Sequence, residues 1–324
     1  MSDLRIVFLG TPDFAVPSLD ALARTGAVRL VVAQPDRPKG RGRALAAPPV
    51  KERALELGLG CLQTERPNAP GAIGALRGVA PDLFVVVAYG AILSPELLAV
   101  PRLGSINLHA SLLPEYRGAS PIQAALLDGR SETGNTTQWI AEGLDSGDVI
   151  LQRALAIGPD ETAGELSTRL AQDGAALLLE TVERVAKDDA PRVSQDHARA
   201  TLTKKVRKEH GLIDFTKSAR EVHNRARAMT PWPGAIAGFA GQPVRFERTQ
   251  IATAAVAAVA KPGAILGAGE HGGLIVACGE GAIEVLRVRP AGRNEMDAQD
   301  WWRGLRSSGK DGARFEVLRR EELS

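Results

Sequence analysis

Short apolar runs alternate with helically spaced segments through the first half of the chain. Residues 4–9, 28–33, 82–88 and 105–109 read as strands, and residues 17–24, 50–57, 122–127 and 163–185 as helices. Apolar strands separated by helical stretches predict a parallel sheet covered on both faces. Across 163–185, Leu166, Leu170, Leu177 and Val185 recur at helical spacing, which predicts a packing helix. Periodicity then lapses over 188–200, a polar stretch containing Pro191 that reads as a linker. Beyond it, residues 211–215 look like a strand. Residues 218–228 look like a helix, with Ser218 as its N-cap and Glu221 completing a capping box before Pro231 and Pro233 stop the chain. Residues 236–239, 243–248, 264–266, 273–277 and 282–288 are short, alternating and bounded by turn residues. They predict a small antiparallel barrel, with a late helix over 297–305. The fold class expected is therefore α/β, a Rossmann-like parallel-sheet domain over residues 1–188, a linker over 189–206 and a C-terminal β-barrel domain over 207–324.

Bulk properties narrow the setting. A chain of 324 residues exceeds the usual single domain, and 44% hydrophobic residues suit ordered cores rather than a disordered tail. The longest apolar runs, 83–88 and 251–260, fall far short of the roughly 20 residues that cross a bilayer. The chain enters its first strand with no charged leader and cleavage site, which points away from secretion. Cys61 and Cys278 stand far apart and give no disulfide framework, so both are expected as free thiols in a reducing cytoplasm. The net charge of +2 hides two basic regions. Between Gln34 and Pro49, Arg37, Lys39, Arg41 and Arg43 face one acid, Asp36; between Thr203 and Gln250, ten Lys or Arg face four acids. Two such regions can track one polyanion.

The candidate chemistry centres on Asn107 and His109. In an extended segment side chains alternate, so these two share a face while Ile106 and Leu108 point into packing. Imidazole exchanges a proton near neutral pH, and an Asn amide donates to a developing oxyanion without changing charge. The loop Gly143-Leu144-Asp145-Ser146-Gly147-Asp148 carries two acids, of which Asp145 could orient the imidazole and Asp148 serve the loop backbone. No second His or Cys stands at metal-ligand spacing from His109. Gly10-Thr11-Pro12-Asp13 occupies the first strand-to-helix turn, where a glycine permits close approach, yet neither the three-glycine dinucleotide pattern nor a phosphate loop is present. Four cations within seven residues, Arg37 to Arg43, suit phosphate contacts. Trp232, Trp301 and Trp302 read as packing residues, since aromatics make up only 4% of the chain.

At these residues the chain resembles the methionyl-tRNA formyltransferase family, within the 10-formyltetrahydrofolate-dependent formyltransferases. The likeness runs through Phe8-Leu9-Gly10-Thr11-Pro12-Asp13-Phe14, Gln34-Pro35-Asp36-Arg37-Pro38, Asn107 to Pro114, Gly143 to Asp148, Ile213-Asp214-Phe215, Asn224 and Pro231-Trp232-Pro233-Gly234. It implies formyl transfer from 10-formyltetrahydrofolate to the amino group of methionine carried by initiator tRNA, by a monomeric enzyme that needs neither a metal nor a membrane. It also implies Asn107, His109 and Asp145 as the catalytic trio, and Ser111, Leu112, Leu113 and Pro114 in the folate segment. Arg37, Lys39, Arg41 and Arg43 fall in a loop on the tRNA acceptor end, with Arg41 as the specificity contact, and the C-terminal barrel resembles an OB fold that binds tRNA. Thr136-Thr137-Gln138-Trp139 departs from the more apolar strand of the family, and Gln138 and Trp139 are expected along a wall of the folate site. The same trio would serve a formyltransferase acting on an amino sugar nucleotide or a small purine precursor, which needs no basic loop. A non-enzymatic RNA-binding protein would explain the charge but leave the aligned Asn107 and His109 without a purpose.

Overall fold

A computed structural model describes residues 3–39, 44–253, 260–305, 313–319 and 321. The chain divides into two compact units. The first comprises Met1–Gly118, Thr133–Ala156 and Ser167–Leu202, and the second Ala119–Glu132, Ile157–Leu166 and Thr203–Ser324.

The first unit is built on seven strands: β1 (Ile6–Gly10), β2 (Val28–Ala33), β3 (Cys61–Gln63), β4 (Leu83–Val87), β5 (Ser105–His109), β6 (Glu132–Trp139) and β7 (Val149–Ala156). They lie in the order β7-β6-β5-β4-β1-β2-β3. The five strands from β5 to β3 run parallel, as expected, but β6 pairs antiparallel with β5, so the sheet is mixed. Strand alternation sorts the core into two layers. Ile6, Phe8, Val85, Val87, Ile106 and Leu108 pack with Leu19 and Leu22 of α1 (Val16–Ala23), Val50 and Ala54 of α2 (Pro49–Glu56) and Leu178 and Val182. Val7, Leu9, Phe84 and Val86 pack on the other face against Ile73 and Leu76 of α3 (Pro70–Gly78) and Leu97 of α4 (Pro95–Leu98). Each such buried aliphatic side chain contributes about 1.5–3 kcal/mol. Gly10, the last residue of β1, has no room for a side chain: a Cβ there would lie 2.8 Å from the Phe8 ring and 3.1 Å from the Val87 carbonyl oxygen. The close approach is therefore to neighbouring protein.

Several segments were not apparent from apolar pattern. β6 is buried through polar residues, with Thr133, Asn135, Thr136, Thr137 and Gln138 all interior. β3 is only three residues long, and α3 carries three glycines and a proline in nine residues. Arg37–Lys39 and Ala44–Ala46 form a two-stranded hairpin whose base is fixed at Asp36 by Lys51 at 2.9 Å and Gln63 at 2.7 Å.

The second unit contains an antiparallel sheet of β8 (Ala235–Phe239), β9 (Gln242–Ile251), β10 (Ile265–Ala268), β11 (Leu274–Ala277) and β12 (Ala282–Pro290), in the order β8-β9-β12-β11-β10, with Met296–Asp297 pairing β12. Its core is aromatic: Phe315 stacks on Trp301 and Phe215 and meets Phe246 edge-on at 4.9 Å. Helix α5 (Pro121–Leu127) packs on α7 (Ala219–Ala228), and α7 opens with the expected Ser218–Glu221 capping box. The helix α6 (Ala163–Ala186) buries Leu166, Leu170, Leu177 and Val185 as its periodicity requires, and α8 (Ala298–Arg303) closes the order.

Two expectations are corrected. Residues 211–215 do not form a strand. Ile213 and Phe215 are buried, but only Leu212 bridges Ile236, and a Cβ on Gly211 would sit 2.0 Å from the Gly234 oxygen, so the chain meets another backbone there. Trp232 does not pack: it is 53% exposed, whereas Trp301 is buried and Trp302 lies edge-on to Phe239.

Candidate functional site

In an open sheet with strands on both sides of β1, ligands approach the carboxyl ends of the parallel strands. Asn107 and His109 occupy that end of β5, on the face opposite the buried Ile106 and Leu108. Antiparallel pairing sets Gln138 across from Asn107 and Thr136 across from His109. These four side chains share one face. Trp139, one residue on, must point the other way; it enters the core and donates its ring N–H to the Pro191 carbonyl. Of the two residues expected along the site wall, only Gln138 is there.

Asp145 reaches the same place from its loop. Its Oδ2 lies 3.7 Å from His109 Nδ1 and accepts the Gly118 backbone N–H at 2.8 Å. Its Oδ1 accepts from Gln138 Nε2 at 3.1 Å and from Asn107 Nδ2 at 3.5 Å. The loop sequence explains this delivery. Asp145 itself has φ of 46°, in the left-handed region that short polar residues tolerate better than most. Gly143 has φ of 104°, and Gly147 is pressed so close to β6 that a Cβ would lie 1.8 Å from the Trp139 oxygen. Asp148 turns away and accepts from the Ser194 hydroxyl.

His109 is buried, and its Nε2 lies 2.9 Å from the Tyr116 carbonyl oxygen. A carbonyl only accepts, so Nε2 carries the hydrogen and Nδ1 is left toward Asp145. The Ser111 hydroxyl donates to the Glu115 carbonyl at 2.6 Å, which occupies it within its own turn. Thr136 braces the segment Ser111 to Pro114: its hydroxyl donates to the Ser111 carbonyl and accepts the Leu113 N–H, while Gln152 Nε2 reaches both Thr136 and the Leu113 carbonyl.

Sequence reasoning missed Tyr116, Gly118 and Gln195. The first two act through backbone atoms, which no residue type announces. Gln195 falls in the stretch read as linker, yet it is buried and bonded to the Asp145 loop. Of the basic loop, Arg37 is exposed on its hairpin strand and Lys39 continues that strand, while Arg41 and Arg43 lie outside the described residues. Among the described residues no cluster of potential metal ligands occurs, and no helix is long and apolar enough to cross a membrane. Cys61 lies on β3, and burial pushes the Cys278 thiol up to about 12.

Comparison with known proteins places these features in a family. Residues 4–182 match the family described as Formyl transferase, and residues 205–306 match its C-terminal domain. The chain is 44% identical over 307 residues to the methionyl-tRNA formyltransferase of Geobacter metallireducens, covering 94% of this chain and 97% of the relative. It is 46% identical over 304 residues to that of Solibacter usitatus, covering 94% and 96%. Among solved structures, WlaRD, a sugar 3N-formyl transferase crystallised with dTDP and 5-N-formyl-THF, superposes with a TM-score of 0.65. The two are 18% identical, with 90% of this chain and 99% of that one covered, a likeness of fold alone.

Proposed function

The chain belongs to the methionyl-tRNA formyltransferase family, and from that premise we infer that Asn107, His109 and Asp145 carry formyl transfer from 10-formyltetrahydrofolate to the amino group of methionyl initiator tRNA. The observation that carries the assignment is convergence: an amide donor, an imidazole with one free nitrogen and a carboxylate meet at the carboxyl end of β5.

The donor set fits direct transfer of a formyl group. When bound, 10-formyltetrahydrofolate supplies the formyl group on its N10. Asn107 Nδ2 is an uncharged donor for the formyl oxygen as it gains negative charge. His109, its Nε2 committed to Tyr116, has Nδ1 to take up or release the proton that must pass from the attacking amine toward N10. Asp145 stands beside Nδ1 and stabilises the imidazolium whenever that nitrogen is protonated. The Ser111 hydroxyl is engaged by the Glu115 carbonyl, which keeps it from acting as a nucleophile. Ser111, Leu112, Leu113 and Pro114 are assigned to folate binding, supported by the Thr136 and Gln152 brace that fixes their backbone.

The tRNA is assigned to Arg37, Lys39, Arg41 and Arg43 and to the basic C-terminal domain. An OB-like barrel is proposed for that domain, supported by the segment bearing Arg314 and Glu316. It bridges Ala264, beside one edge strand of the sheet, and Gly238 on the other. A cytoplasmic monomer is proposed with it.

The reading is tested by incubating the protein with 10-formyltetrahydrofolate and, separately, charged initiator tRNA, elongator methionyl-tRNA and an amino sugar nucleotide. Formylation of the initiator in preference to the other two is expected; formylation of the sugar alone would overturn it. Arg41→Ala is expected to reduce kcat/KM more on the initiator than on the elongator. An equal loss on both removes Arg41 as the specificity contact.

A further inference from the structure

Gln195 lies between the two segments that match the family, in the polar stretch after α6. Its side chain is nevertheless buried, and every polar atom of it is used. Oε1 accepts from Arg117 Nε at 3.1 Å and Nη2 at 2.7 Å. Nε2 faces three acceptors, the Gln138 Oε1 at 3.2 Å, the Asp145 carbonyl at 3.0 Å and the Gly147 carbonyl at 2.7 Å. The guanidinium can only donate and the two backbone carbonyls can only accept, so the amide has one possible orientation.

That orientation propagates. Gln138 Oε1 accepts from Gln195, which leaves Gln138 Nε2 to donate to Asp145 Oδ1. A single file of donors therefore runs from Arg117 through Gln195 and Gln138 to the carboxylate, each bond pointing the same way and reinforcing the next. A second connection is through the backbone. Residues 116 and 118, flanking Arg117, supply the carbonyl that holds His109 and the N–H that holds Asp145 Oδ2. One amide thus ties the backbone on the imidazole side of the site to the loop on the carboxylate side, where Asp145 sits at a positive φ.

We propose that Gln195 is a positioning residue for formyl transfer, holding Asp145 in register with His109 by clamping the Asp145 loop to Arg117 and Gln138. The role rests on the formyl-transfer reading above. Gln195 touches no reacting atom; it acts through Asp145 and Gln138.

The test compares the purified full-length protein with Gln195→Ala, Gln195→Glu, Gln138→Leu and the Gln138→Leu/Gln195→Ala double variant, in steady-state formylation of initiator methionyl-tRNA. Gln195→Ala is expected to lower kcat about 10- to 100-fold, the scale of a misplaced catalytic group, with KM for tRNA and for folate essentially unchanged. Gln195→Glu keeps the size of the side chain and the Arg117 contact but presents oxygen to three oxygens, so it is expected to be at least as impaired. The double variant is expected to match the worse single variant, because both break one file of bonds. Wild-type kcat in Gln195→Glu, a loss confined to KM, or losses that simply add would each overturn the proposal. Should Gln195→Ala fail to fold, Gln195→Glu and Gln138→Leu decide. Absence of formylation by the wild-type protein would defeat the underlying reading, a result distinct from an active wild type with unimpaired variants.

Discussion

His109 Nε2 and the Tyr116 carbonyl oxygen stand 2.9 Å apart, and this contact decides which ring nitrogen is free for chemistry. His109→Ala is expected to lower kcat by about 10²- to 10⁴-fold, the range of general acid–base catalysis, with affinity for tRNA nearly unchanged. Single-turnover formylation beside a tRNA-binding measurement checks both parts. A turnover close to wild type would remove His109 from the mechanism.

Gly147 has no space for a side chain, since a Cβ would overlap the Trp139 carbonyl at 1.8 Å. Gly147→Ala must therefore displace the loop carrying Asp145. A fall in kcat of at least about 10-fold is expected, on the scale of a shifted catalytic group. Gly74→Ala is the control: it lies inside α3 with nothing within 4 Å of its Cβ position. There the same change is expected to raise stability by about 0.5–1 kcal/mol and leave kcat alone.

Thr136 joins its strand to the segment assigned to folate. Thr136→Val preserves shape but leaves the buried Leu113 N–H and the Ser111 carbonyl without the hydroxyl. The expected cost is about 1–3 kcal/mol of stability and a raised KM for 10-formyltetrahydrofolate, with KM for tRNA unchanged. Chemical denaturation and separate titrations of the two substrates read these effects.

Asp82 accepts from Arg5 through backbone and side chain and from Arg102, and the Arg5 hydrogen bonds hold its carboxyl well below the usual carboxylate range. A folded value lower than the unfolded value of about 3.9 stabilises the protein above that pH. The contribution is lost as pH falls through the folded value. Asp82→Asn is expected to lower the unfolding temperature by a constant amount from neutral pH down to about pH 5, with the gap closing below about pH 4. A gap that persists unchanged into acid would show that the charge of Asp82 plays no part.

The outline of the candidate site was legible because β5 alternates cleanly: two buried aliphatics alternate with an amide and an imidazole, and period 2 fixes which pair faces away from the packed aliphatics. Asp145 could be recognised as a loop acid, but its approach to His109 depends on pairing across β6 and on Gly147, which are long-range facts. The strand β6 was hard to read because it is polar yet buried, with Thr136, Thr137 and Gln138 bonding their side chains inside the protein. Thr137, for example, meets Thr181 at 2.8 Å. Residues 211–215 misled in the opposite direction, since alternation of Ile213 and Phe215 reports burial on one side and says nothing about a neighbouring strand. Trp232 shows the same limit, as composition assigned it to packing and the structure leaves it exposed.

The clamp at Gln195 makes the spacing of the stretch after α6 a catalytic parameter. Removing or adding one residue between Ala186 and Gln195 would slide the amide by about 3.3 Å along an extended backbone and turn it to the opposite side. A fragment ending at residue 188 would keep Asn107, His109 and Asp145 but lose the support behind them. The interval between the two family-matching segments therefore cannot be exchanged as an inert tether: its length and its one buried amide belong to the support of the proposed site.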